Sequence, residues 1–144
     1  MAETSLRPQD IALVRATFDR TWPVASDTAD RFYRRLFETA PHVRALFPGD
    51  MRRQGARFMA KLALLVGSLD RPDQLGVLGG TLARQHVEYG VQAAHYPLVG
   101  AALLWALEQS LGDAWTPDVA AAWTAVYDTL SRCMIAEAYG APQS

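Results

Sequence analysis

Apolar side chains along this chain recur three and four residues apart, and no stretch sustains the period-two alternation of a half-buried strand, so its regular structure is expected to be helical throughout. Proline and glycine divide it into segments. Pro8 suits the first turn of a helix whose apolar face runs Ile11, Val14, Phe18 and Trp22, with Pro23 closing it. Ser26 or Asp27 can cap a second helix, with Phe32, Tyr33, Leu36 and Phe37 as its inward stripe before Pro41 interrupts. A short helical turn ends in Leu46-Phe47-Pro48-Gly49, and a long third helix from Asp50 to Leu69 carries Phe58, Leu62, Leu65 and Val66. Asp70-Arg71-Pro72-Asp73 reads as a turn and restart, and Gly79-Gly80 is expected to break or loosen the next helix ahead of His86. Pro97 suits the first turn of a helix that Gly112 stops. Thr116-Pro117 opens the last helix, through Trp123, Val126, Tyr127, Leu130 and Met134 to about Tyr139.

A chain of 144 residues has room for one domain, expected to span 1–144, and shows no internal repeat. Its formal net charge of -1 supplies no single-sign field to draw in nucleic acid or an anionic membrane. The single Cys133 cannot form an internal disulfide, and as a small apolar residue buried on a late helix it needs no chemistry. The N-terminus lacks the apolar core of a signal peptide, and no stretch reaches the ~18 consecutive apolar residues of a membrane span. A cytoplasmic protein is expected.

His86 is the most informative side chain. It follows Leu82 by one turn, so the two share a helix face, and Gly90 is placed to end that helix soon afterwards. One imidazole beside an apolar ledge suits a flat, iron-bearing ligand, while an ordinary surface or core histidine fits the same local pattern. Roughly seven or eight helices joined by short turns suit either a bundle or an orthogonally packed arrangement, and periodicity leaves both open.

Specific stretches separate these alternatives. Phe32-Tyr33-Arg34-Arg35-Leu36-Phe37, Pro41 through Phe47, Gln54-Gly55-Ala56-Arg57-Phe58-Met59, Gln85-His86 with Gly90-Val91, and His95 through Leu104 follow one another in order, with Ala122-Trp123 and Tyr127 behind them. Together they resemble the globins, most closely single-domain bacterial haemoglobins and the haem domain of flavohaemoglobins, and more distantly neuroglobins. The resemblance covers nearly the whole chain. It implies an all-α globin fold of seven to eight helices around a pocket for haem b, iron protoporphyrin IX.

Each matched residue then has an implied role. His86 would be the iron ligand, its second ring nitrogen turned to the Leu82 carbonyl. Phe47 would wedge against the haem, Tyr33 and Gln54 would face the gas, and Phe58 would stand a turn beyond Gln54, where the family usually keeps a smaller aliphatic residue. Arg57 would approach a haem propionate. Leu82, Val91, Tyr96, Val99 and Leu103 would line the haem faces. A flavohaemoglobin glutamate that tunes the iron-bound imidazole falls one residue away from Glu137, a turn of roughly 100°, so Glu137 reads as a solvated terminal residue. His42 reads as an exposed corner residue and His95 as a first-turn residue. No histidine occupies the matched distal position, so closure by two histidines is not expected.

A phenol O–H and an amide N–H aimed at a polar diatomic ligand are worth about 1 kcal/mol each, enough together to slow its release roughly ten- to hundred-fold. The resemblance therefore points first to reversible binding of dioxygen at a five-coordinate haem iron, with nitric oxide and carbon monoxide as further ligands and no catalytic residues. The alternatives are a nitric oxide dioxygenase, which would need a separate reductase because no flavin or nicotinamide segment is present in these residues, and a gas sensor acting through a separate partner. A monomer or weak homodimer is expected.

Overall fold

The computed structural model describes residues 6–47, 49–88 and 91–139. Among these there are six α-helices, three short 3-10 segments and no strand. The α-helices are α1 (Pro8–Thr21), α2 (Ala25–Thr39), α3 (Met51–Gly67), α4 (Pro72–Glu88), α5 (His95–Leu111) and α6 (Pro117–Tyr139). Trp22–Val24, Pro41–Leu46 and Gly112–Ala114 form the 3-10 segments, so the expected seven or eight helices resolve into six full ones and three short turns.

Proline sets several starts, because a residue without an N–H loses nothing in a first turn whose donors lack intrahelical partners. Pro8 occupies that position in α1, where the Arg7 guanidinium grips the buried Asp10 carboxylate through two bonds of 3.0 Å. α2 starts differently from the expectation. Neither Ser26 nor Asp27 caps it; Val24 stands at the cap, and the preceding 3-10 turn runs straight into the helix, the Ala25 N–H donating to the Trp22 carbonyl. That turn also carries Trp22 off the buried stripe of α1, leaving it 50% exposed where an inward position was expected. α3 is capped by the Asp50 carboxylate, which accepts the Arg52 N–H at 2.9 Å. α5 ends at Gly112, whose φ of 56° suits a residue without a Cβ.

α4 departs furthest from the expectation, for it runs unbroken through Gly76, Gly79 and Gly80. Each internal glycine costs about 1 kcal/mol relative to alanine. Tertiary packing outweighs that cost: α4 lies along α6, Leu82 and Ala83 enter the core, and a Cβ at Gly79 would already touch Met134 Cγ at 3.9 Å.

The core lies where α1 packs on α6, α2 on α3 and α5, and α4 on α6. Val14, Phe32, Leu36, Leu107, Trp123 and Val126 are its most deeply buried large side chains. α3 crosses α2 closely at Gly55, where a Cβ would stand 3.0 Å from that of Ala29. Two polar contacts join helices in the interior: Trp123 Nε1 donates to Thr17 Oγ1 at 2.9 Å, and the Thr28 and Ser110 hydroxyls share a bond of 2.7 Å. Cys133 is exposed, against the expectation of burial, because Met134 takes the core position and one residue turns a helical side chain by roughly 100°. No helix among the described residues is long and apolar enough to cross a membrane.

Candidate functional site

Five aromatic rings converge from three elements. The spacing of Phe32, Tyr33 and Phe37 on α2 presents them toward the corner residue Phe47 and toward Phe58 of α3. Tyr33, 6% exposed, is the hub: its ring centre lies 4.9 Å from that of Phe32, 5.9 Å from Phe37, 5.3 Å from Phe47 and 6.1 Å from Phe58. Phe58 stacks on Phe32 with ring centres 4.4 Å apart and planes within 3°. The Arg44 guanidinium covers Phe37 and donates to the Phe47 carbonyl at 2.6 Å, bracing the corner.

The Tyr33 hydroxyl donates to the backbone carbonyl of Gln54 at 3.4 Å, a long and therefore weak bond. Burial pushes the phenol up to about 12, so it keeps its proton and remains a donor across the physiological range. The half-buried Gln54 thus stands beside Tyr33, with this bond running to its main chain.

α4 presents His86 near its end, where the Val91 N–H donates to the His86 carbonyl at 2.9 Å. Desolvation pushes the imidazole pKa down and favours the neutral ring, while the Leu82 carbonyl one turn back pulls the other way. That carbonyl is near enough to act electrostatically, yet Nδ1 is buried without a partner of hydrogen-bonding geometry among the described residues. The Tyr96 ring lies 6.2 Å away with its plane 24° from that of the imidazole. Tyr96 is itself fixed through its backbone, whose carbonyl accepts the Tyr127 hydroxyl at 2.5 Å. Gly100 makes room for that tyrosine, and burial drives the Tyr127 phenol well above its ordinary value.

Leu82 and Leu103 are buried, and Val91 and Val99 pack half-buried against the same core. Arg57 is exposed on α3 and makes no hydrogen bond or ion pair among the described residues. Gly90 and the Glu137 side chain lie outside the described residues. Two groups were not anticipated: Gln85 Oε1, buried beside His86 without a partner among the described residues, and the Tyr127–Gly100 contact. The first gave no periodic signal, and the second joins residues whose sequence neighbourhoods are unrelated.

A half-buried imidazole whose pKa is pushed down by desolvation, with its buried Nδ1 unpaired among the described residues, suits ligation of a metal, since only the neutral ring offers a lone pair. An aromatic shelf on helices packed against its neighbours suits a flat macrocycle. These residues fit an iron porphyrin.

A family model described as Globin matches residues 30–134. The chain belongs to the globin family. This globin is 32% identical to a flavohemoprotein of Deinococcus radiodurans over 133 residues, covering 90% of the chain and 33% of the relative. It is 30% identical to flavohemoprotein A of Dictyostelium discoideum over 132 residues, covering 91% of the chain and 33% of that relative. The chain thus spans about a third of the length of the curated relatives it matches. Among solved structures, an engineered carbene transferase from Rhodothermus marinus, whose parent is a proposed nitric oxide dioxygenase, superposes with a TM-score of 0.83 at 32% identity, covering 94% of each chain. A hexacoordinated haem protein from an anhydrobiotic tardigrade superposes at 0.85 with 16% identity, covering 93% of this chain and 96% of that one, a likeness of fold alone. The all-α architecture is that of a globin, and membership of this family implies haem binding.

Proposed function

We propose that this globin holds haem b through His86 and binds dioxygen reversibly in a pocket faced by Tyr33. The carrying observation is a pair of groups from separate helices: a half-buried imidazole near the end of α4 whose pKa is pushed down by desolvation, and a protonated phenol on α2 whose hydroxyl is only loosely engaged at 3.4 Å. Haem, when bound, would supply an iron able to take up a diatomic gas. The protein's residues do the rest. His86 would hold the iron through a ring nitrogen, with the Leu82 carbonyl one turn back acting on the ring electrostatically. Phe47 and Phe58 exclude water and brace the macrocycle, Tyr96 backs the imidazole, and Leu82, Val91, Val99 and Leu103 complete the apolar lining. Tyr33 O–H, released from its long bond, donates to a polar ligand, with Gln54 beside it. Arg57, exposed and unpaired among the described residues, is free to meet a propionate. Carbon monoxide and nitric oxide would occupy the same position, and the chain would act as one cytoplasmic domain, a monomer or weak homodimer.

A second reading is nitric oxide dioxygenation with a separate reductase. It is favoured by the relatives, which are flavohemoproteins, and by the Rhodothermus marinus neighbour. Steady-state nitric oxide consumption with an added reductase separates it from simple carriage.

The test is the ultraviolet–visible spectrum of haem-loaded wild type beside His86→Ala, as ferric, ferrous, oxygen-exposed and carbon monoxide-exposed samples. A five-coordinate ferrous spectrum that changes stably and reversibly with oxygen, and is lost in His86→Ala, supports the reading. Identical spectra with and without His86, or failure to retain haem, overturn it.

A further inference from the structure

Away from the pocket lining, the fold brings two imidazoles together. His42 lies in the 3-10 segment Pro41–Leu46 and His95 is the first residue of α5, and their ring centres stand 5.7 Å apart with planes inclined by 42°. His42 is exposed and His95 half-buried, so an ion can reach the pair from solvent. We propose that His42 and His95 form a two-imidazole site for a divalent transition metal ion of the zinc and nickel class, placed at the seam between the corner that ends in Phe47 and the helix that carries Tyr96.

The spacing is the first argument. Two imidazoles that share one ion through bonds of about 2.0–2.1 Å have ring centres roughly 4.5–6 Å apart, and the observed separation falls inside that window. The donor type is the second. Nitrogen ligands select late first-row divalent metals, whereas magnesium and calcium require oxygen. Among the described residues no third histidine, cysteine, aspartate or glutamate joins a metal-holding group, so water would fill the remaining positions and the affinity would be modest.

One existing bond must give way. His95 Nδ1 accepts the Gln92 N–H at 3.0 Å, which sets the ring's orientation before any ion arrives. Ligation ends that bond, because Nδ1 must then either take the ion or carry the ring's proton. The bond is exposed, so water replaces it at small loss. A bound ion would tie two sequence-distant segments together, and an ion that binds only the folded chain stabilises it by mass action.

The experiment is zinc titration of the tag-free full chain in competition with a chromophoric chelator, for wild type, His42→Gln, His95→Gln and His86→Gln. The expected result is one zinc per chain, bound at least about tenfold more weakly in either His42→Gln or His95→Gln and unchanged in His86→Gln. Unchanged affinity in either of the first two variants overturns the site, and so does a loss confined to His86→Gln, which would place the ion in the haem pocket. Nickel supplies a readout that needs no variant: selective broadening of the His42 and His95 ring-proton signals in wild type is expected, and sharp signals at saturating nickel refute the proposal.

Discussion

Gly100→Ala probes the joint that holds the floor of the pocket. A Cβ at this position would lie 2.4 Å from Cε2 of Tyr127, 2.8 Å from Cδ2 and 2.9 Å from Cζ. Since carbon atoms settle at about 3.5–4.0 Å, the ring must retreat by about 1 Å. It cannot do so freely, because its hydroxyl is tied to the Tyr96 carbonyl. Overpacking of this kind costs about 1–3 kcal/mol, and loss of the hydrogen bond adds about 1 kcal/mol. The sum, about 2–4 kcal/mol, corresponds to a Tm lower by roughly 5–15 °C for a chain of this size. Urea unfolding of the apoprotein, followed by circular dichroism, measures it directly. Tyr127→Phe alone should cost about 1 kcal/mol, and it should cost less in the Gly100→Ala background, because the steric push has already broken the same bond. Stability of Gly100→Ala within about 0.5 kcal/mol of wild type, the range of an inconsequential surface change, refutes the reasoning, as does strict additivity in the double variant.

Tyr33→Phe should accelerate oxygen release roughly five- to tenfold, the equivalent of one hydrogen bond of about 1–1.4 kcal/mol, with little change in stability because the bond it loses is long; stopped-flow displacement by carbon monoxide reads the rate, and an unchanged value ends the donor role. Phe58→Leu removes the stack on Phe32, should destabilise by about 1–2 kcal/mol and, with a smaller side chain in the pocket, should speed carbon monoxide association after flash photolysis; slower association would show that the Phe58 ring does not crowd the ligand's approach. His86 in the folded apoprotein has a depressed pKa, so the unfolded chain, titrating near 6.5, takes the proton more readily. Its contribution to stability is therefore present above about pH 6.5 and lost as pH falls through the lower folded value. Urea midpoints of the apoprotein should decline below about pH 6.5, and His86→Gln should flatten that decline; an equal slope in both assigns it to other groups.

Helix placement was legible where a backbone rule acts locally. Pro8 and Pro117 lack the N–H that a first turn cannot satisfy, and Gly112 takes the positive φ that ends α5. Where two local rules competed, packing decided. Gly79-Gly80 looks like a break until α6 is laid against it, and Ser26 and Asp27 look like caps until the 3-10 turn supplies carbonyls in register. Trp22 and Cys133 were misjudged because a stripe near a helix end, or one residue off the stripe, carries no record of which neighbour covers it. The inward stripe of Phe32, Tyr33 and Phe37 was readable from spacing, whereas the places of Phe47 and Phe58 in the candidate site came from the resemblance to the globins. The contacts of His42 with His95 and of Gly100 with Tyr127 were not readable, because each depends on how separate elements cross, and periodicity describes only one element at a time.

The unbroken run of α4 through Gly76, Gly79 and Gly80 bears on how a ligand would stay in place. Three glycines forgo about 3 kcal/mol of helical stability relative to alanine, and no side chain stands within 4 Å of a Cβ at Gly76 to give that position a packing reason. Val77 beside it is 70% exposed. The helix that presents His86 is thus a segment with little margin against opening on its own while the rest of the fold stands. A cofactor held through His86 would bind the closed form only, so occupancy and helical order would rise and fall as one equilibrium. Substitutions that weaken α4 should then announce themselves first as faster escape of the cofactor, well before the global transition moves.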